Sequence, residues 1–239
     1  MLPKGQKNIS RLSLFFKPTR TKNIRNKFYS KAQCFKAIFS KVSFYNINFK
    51  GAILTNCSFK NASFSQVEFL GTNLKKSNFT GATFHNCIFS CVLLKKANFK
   101  NCEFHNCIFI NTNLSNSKNL NIGNNCRVLS KFPSFEINKE LLSLFNDLRF
   151  NPKLHNSRVL HLKGGKINYL TVMHLIDGLG EIKLINGLKL LKSQLPYRVI
   201  TANSLYNIID ILWFHDIICF MLSLPPRIIL SSRDKVATY

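Results

Sequence analysis

The chain is poor in acid. Of 239 residues only 10 are Asp or Glu, against 34 Lys and Arg, and no acid precedes Glu68. Such an excess argues against a basic partner and for an anionic one: nucleic acid, a membrane surface or an acidic protein. No C-x-x-C pair occurs among the 8 cysteines, and the apolar stretch Leu12–Phe16 is too short for the core of a secretory signal. Disulfides are therefore not expected, and the cysteines read as small buried hydrophobes in a reducing compartment. Catalytic motifs are missing too. Lys163–Gly164–Gly165–Lys166 lacks the G-x-x-x-x-G-K-[ST] spacing that cradles phosphates, and no H-E-x-x-H is present. His155, His161, His174 and His215 have no serine or cysteine elbow to serve, so they read as structural. No catalytic residue, metal or cofactor is expected.

What is present is charge of one sign in every segment. Residues 1–33 carry +9, residues 34–126 carry +8 and residues 127–239 carry +7. A/T-rich codons would also raise Lys, Asn, Ile and Phe together, but the resulting field acts on partners whatever its origin. An apolar content of 46% with mean hydropathy near zero suits a folded protein.

The second feature is a repeat. From Phe39 to Leu114 every fifth residue is Phe or Leu, sixteen times without a break. Two residues before each stands a small, β-branched or thiol side chain, as in Ala37, Val42, Cys57, Ala82, Ala97 and Cys107. A period of five fits neither the 3.6 of an α-helix nor the 2.0 of a strand. It fits a chain that turns a corner every five residues, with both marked positions facing inward. Cys34, Cys57, Cys87, Cys102 and Cys107 all fall on inward positions, and Ala32 with Cys34 adds a seventeenth unit. Leu54, Leu74, Leu94 and Leu114 recur every twenty residues, so four sides make one coil and one side is built for Leu.

Ala97–Asn98–Phe99 and Ser77–Asn78–Phe79 resemble the A(D/N)LXX motif of the pentapeptide-repeat family. The resemblance implies a right-handed quadrilateral β-helix of about four coils, a β-solenoid spanning residues 32–126. Residues 1–31 are expected to form a basic arm or cap, and residues 127–239 a small, mostly α-helical domain. Terminal coils lack one neighbour, so both flanks should supply caps. Arg11, Arg20 and Arg25 also give the N-terminal segment the look of a mitochondrial presequence. The expected location is cytoplasmic, with a mitochondrial protein or an effector secreted into a host cell as alternatives.

Within that domain, Leu141, Leu144, Phe145 and Leu148 repeat at helical spacing, as do Leu184, Leu188, Leu191 and Leu195. Arg158–Leu162 and Ile167–Met173 are placed to form a hairpin. Ser204 is placed to cap a long apolar helix through Leu224, stopped by Pro225–Pro226. Leu205–Leu224 is near the length of a membrane span, but Asp210, His215 and Asp216 favour a buried or capping helix.

Residues twenty apart stack on one face. The Leu side thus displays Lys75 under Lys95 and Lys76 under Lys96, with Lys60 and Lys100 on the next side. These six lysines are the candidate anion-binding face; the competing reading is a solvated surface repeated by coil duplication. His85 stacks under His105, but with Cys87 and Cys107 turned inward no third metal ligand is evident. Leu70, Ile88, Ile108 and Ile110 should point outward as an apolar interface, covered by the C-terminal domain or by a second copy in a homodimer. The function these features favour is a non-enzymatic binding scaffold. One alternative is DNA mimicry toward a topoisomerase, known in the family, but such rods are acidic and this one is not. The other is an enzyme in residues 127–239, for which no motif speaks.

Overall fold

The computed structural model describes residues 22–193, 195 and 197–221, apart from the side chains of 193 and 216–221. The chain divides into two compact units, one ending at Phe132 and the next beginning at Pro133.

The first unit is a β-solenoid of about five turns. Its corners follow from backbone conformation. Every fifth residue from Asn26 to Asn111 has a left-handed φ, between 46° and 70°. Asn occupies many of these corners, since its short polar side chain tolerates that region, and Gly51, Gly71 and Gly81 fill three more. Between corners run short strands: β1 (Asn23–Phe28), β2 (Gln33–Phe35), β3 (Ser43–Asn48), β4 (Ile53–Thr55), β5 (Ser63–Ser65), β6 (Glu68–Leu70), β7 (Thr83–His85), β8 (Ile88–Ser90), β9 (Glu103–His105), β10 (Ile108–Ile110) and β11 (Arg127–Leu129). All the strand pairs are parallel. Phe44 lies on Phe64, Phe64 on Phe84 and Phe84 on Phe104, a register of twenty residues.

Inside, the side chains form columns. Phe44, Phe64, Phe84 and Phe104 stack with centroids 4.9, 4.8 and 4.7 Å apart. Phe39, Phe59, Phe79 and Phe99 stack at 5.0, 4.9 and 4.9 Å. A third aromatic column runs from Tyr29 through Phe49, Phe69 and Phe89 to Phe109, and the Leu column fills the fourth side. The polar members of the small inward positions are satisfied by the rung below: Thr72 Oγ1 donates to the Phe49 carbonyl and Ser77 Oγ to that of Leu54. Cys57, Cys87, Cys102, Cys107 and Cys126 direct their thiols to carbonyls in the same way. All seven cysteines described are free thiols.

Both expected boundaries of the coil move outward. Residues 22–31 are not a separate arm: β1 pairs with β3, Ile24 is buried, and Tyr29 stacks on Phe49. The repeat begins earlier than its Phe and Leu markers because Ile24 and Tyr29 take the inward position there. At the other end β11 pairs with β10, so residues 127–129 belong to the coil and not to the helical domain. That pairing sets Ile108 on Arg127, one residue short of twenty, which is how the Asn-rich stretch loses the repeat without leaving the solenoid. The presequence reading falls on residues 1–21, outside the described residues, except for Arg25, which lies in β1.

The second unit is helical: α1 (Lys139–Leu148), α2 (Pro152–His155), α3 (Tyr169–Leu179), α4 (Glu181–Ser193) and α5 (Ala202–Met221). Asn138, Asn151 and Asn168 accept backbone N–H bonds at the starts of α1, α2 and α3. The expected apolar stripes of α1 and α4 are buried together with Leu205, Ile208 and Ile209 of α5. Gly187 lets α4 and α5 approach, since a Cβ there would lie 2.3 Å from Ile209 Cγ2.

Three local expectations are corrected. The cap of α5 is Thr201, whose hydroxyl accepts from the Ser204 N–H, while Ser204 Oγ accepts back from the Thr201 N–H in a capping box. The hairpin shrinks to one antiparallel bridge, His161 with Ile167, closed by a 3-10 turn at Lys163–Gly165; its expected second arm is α3, because Asn168 caps a helix there. The helix expected to carry Leu184, Leu188, Leu191 and Leu195 ends at Ser193, although Leu195 remains buried. Among the described residues no helix is long and apolar enough to cross a membrane. Residues 222–226, with the expected helix end and its prolines, lie outside them.

Candidate functional site

The lysine face rests on the coil's ladder. The Lys76 N–H donates to the Lys95 carbonyl at 3.0 Å, and Asn73 bridges Leu93, so Lys75 and Lys76 lie one rung below Lys95 and Lys96. Lys76 and Lys96 are themselves corner residues, with φ of 60° and 61°, which turns their side chains off the edge of the coil. On the next side the Lys41 N–H donates to the Lys60 carbonyl and the Gly81 N–H to that of Lys100. Thr80 falls between Lys60 and Lys100. Five of the six candidate lysines are exposed and Lys75 is half-buried.

Two exposed lysines that the sequence reading omitted lie in line with these columns. Lys36 occupies the corner column of Lys76 and Lys96, and Lys118 bridges Asn98 on the side that carries Lys60 and Lys100. Counting the twenty-residue period outward from residues 76 and 98 would have found both.

Among the described residues of this unit only two carboxylates occur, and neither is on the lysine face. Glu68 is 4% exposed and accepts from Asn48 Nδ2 at 2.8 Å. Glu103 lies 3.6 Å from His105 on the side of β9. Rungs about 4.8 Å apart hold like charges close, which an anion would relieve.

His85 and His105 stack face to face, centroids 4.5 Å apart. Burial, with the charge of His105 beside it, lowers the pKa of His85. Among the described residues no group of three His, Cys, Asp or Glu is placed to hold a metal. Three core thiols are held protonated: burial pushes Cys34 up to about 12, and Cys57 and Cys102 to about 11. They are poor nucleophiles at neutral pH.

The apolar interface is not open surface. Ile88, Ile108 and Ile110 are 3%, 5% and 0% exposed and Leu70 is half-buried, alongside buried Asn48, Glu68 and Ser90. Isoleucines left outside a coil would cost free energy in water, and the folded chain itself withdraws them. A second copy of the chain is not required to cover this side.

Of the lone histidines, His174 Nε2 pairs with Asn203 Oδ1 at 3.1 Å, whereas His161 Nε2 is buried with no hydrogen-bond partner among the described residues.

A sequence profile described as "Pentapeptide repeats" matches residues 43–81 and 77–116, in eight copies. No curated protein matches the chain. Among solved structures, a pentapeptide repeat protein from the thylakoid lumen of Arabidopsis thaliana is 20% identical, over 46% of this chain and 71% of its own, with a TM-score of 0.34. Rfr23 from the cyanobacterium Cyanothece 51142 is 18% identical over 44% and 63%, with a TM-score of 0.19. QnrB1, a plasmid-mediated fluoroquinolone resistance protein, is 17% identical over 46% and 70%, with a TM-score of 0.17.

Proposed function

Since the chain belongs to the pentapeptide-repeat family through its coil, we propose that it is a non-enzymatic binding scaffold whose lysine face engages a polyanionic macromolecule. One observation carries this reading: Lys60, Lys75, Lys76, Lys95, Lys96 and Lys100 project from consecutive rungs of a rigid ladder, and neither described carboxylate of the coil shares their face. A stacked core fixes the rungs, so the spacing of the lysine backbones is set before binding and only their side chains remain to be ordered. The same charge opposes DNA mimicry, which needs an acidic rod.

The test is anisotropy of a labelled DNA duplex titrated with the full chain. Contact by four lysines should lower affinity roughly a hundredfold between about 50 and 200 mM salt. Replacing Lys75, Lys76, Lys95 and Lys96 together by Glu should abolish binding while leaving thermal stability nearly unchanged, because the core and ladder are untouched. A flat salt response, or binding that survives the fourfold variant, defeats the assignment.

A further inference from the structure

A second cationic feature lies in the helical unit, apart from the lysine face. The end of α1, the turn after α2 and the Lys163–Gly165 turn enclose a cavity of about 110 Å³. A water needs only ~10–15 Å³ of such space, so a phosphate group fits. Arg149, His155, Arg158, His161 and Lys163 line it, and no carboxylate does.

Three observations make it a built site. His161 is 8% exposed and lines the cavity, and its Nε2 has no hydrogen-bond partner among the described residues. A buried polar atom left unpaired costs about 1–3 kcal/mol, a cost that an anion accepting from this nitrogen removes. Secondly, the Arg149 guanidinium lies directly on Gly165: a Cβ there would sit 1.9 Å from Nη2 and 2.1 Å from Cζ. Gly165, with φ of 79°, leaves the room that any side chain would fill. Thirdly, the cations are positioned. Arg149 lies over the Phe150 ring at 5.1 Å; His155 stacks on that ring and donates from Nδ1 to the Arg149 carbonyl at 3.1 Å. Burial, with Arg149 and His155 close by, lowers the pKa of His161, as expected where positive charge gathers without a counter-ion.

We propose that this cavity binds a phosphate dianion, either inorganic phosphate or the terminal group of a phosphomonoester, with Arg149 and Lys163 supplying charge and His161 Nε2 donating a hydrogen bond. Arg149 offers the planar fork that suits phosphate oxygens.

Calorimetric titration of the full chain with inorganic phosphate and with adenosine monophosphate tests this, alongside the side-chain NMR signals of His161. Saturable binding of either, with a shift at His161, is the expected result; tighter binding of the nucleotide assigns the monoester, equal binding the free ion. Arg149→Gln should weaken binding about tenfold to a hundredfold, through loss of charge-assisted bonds. Lys163→Gln, on the exposed turn, should weaken it too and gives a second reading if Arg149→Gln folds poorly. Lys189→Gln removes equal charge from an ammonium that pairs with Glu140 at 2.6 Å, and should leave binding unchanged. Absence of saturation with both ligands, an unmoved His161 signal, or equal weakening in Lys189→Gln overturns the proposal.

Discussion

Replacing Phe84 by Ala tests the geometry on which every surface of the coil depends. Phe84 is fully buried and touches rings on all sides: Phe64 at 4.8 Å below, Phe104 at 4.7 Å above, and Phe79 and Phe89 at 5.8 and 5.5 Å within its own rung. Truncating a buried Phe typically costs about 3–5 kcal/mol, the spread depending on how far the site collapses. Here it cannot collapse far. β7 is hydrogen-bonded to β5 on one side and β9 on the other, and this ladder holds Phe64 and Phe104 two rungs apart. The cost should therefore lie in the upper half of that range. Phe104→Ala should cost less, because among the described residues no ring stacks on its far side and it is already 4% exposed. Urea unfolding followed by far-UV circular dichroism reads the coil and the helices together, and the transition not shared by tryptophan fluorescence is the coil's. The single tryptophan, Trp213, lies in α5 and reports the helical unit in the same sample. A loss below about 1 kcal/mol for Phe84→Ala, or a larger loss for Phe104→Ala, would refute a closed column of stacked rings.

Two further outcomes follow from corner and cavity. Lys41 holds a left-handed φ of 62° at an exposed corner, so Lys41→Gly should leave the coil more stable than Lys41→Val by roughly 1–2 kcal/mol, read as a difference in urea midpoints. For His161 the sign is fixed by its lowered pKa. Below pH 6.5 the unfolded chain takes up a proton that the folded site, facing Arg149 and His155, resists. The contribution is thus fully present above pH 6.5 and is lost as pH falls through the folded value. Unfolding monitored at Trp213 should show this acid sensitivity in the native chain and a weaker one in His161→Gln; identical pH profiles would count against it.

The sequence alone determined the coil. A five-residue period repeated sixteen times leaves no freedom in which side chains face inward, and the Leu spacing fixes four sides per turn. Since stacking is set by that register, the neighbours Lys75 with Lys95 and Lys76 with Lys96 were legible too. At the ends the chemistry weakened while the backbone did not. Ile24 and Tyr29 still point inward, and Asn26 and Lys31 still turn corners, because a left-handed corner tolerates several residue types.

Only the tertiary structure decided which outward side chains of the coil are buried and what meets inside the helical unit. Ile88, Ile108 and Ile110 point away from the core in any reading of the repeat, yet they are buried in the folded chain. Likewise Arg149, His161 and Gly165 share no period or motif; they belong to one cavity because the end of α1, a single antiparallel bridge and a tight turn meet there. Periodicity encodes contacts made between identical neighbours. Contacts between unlike segments depend on how whole elements pack, and no local pattern records them.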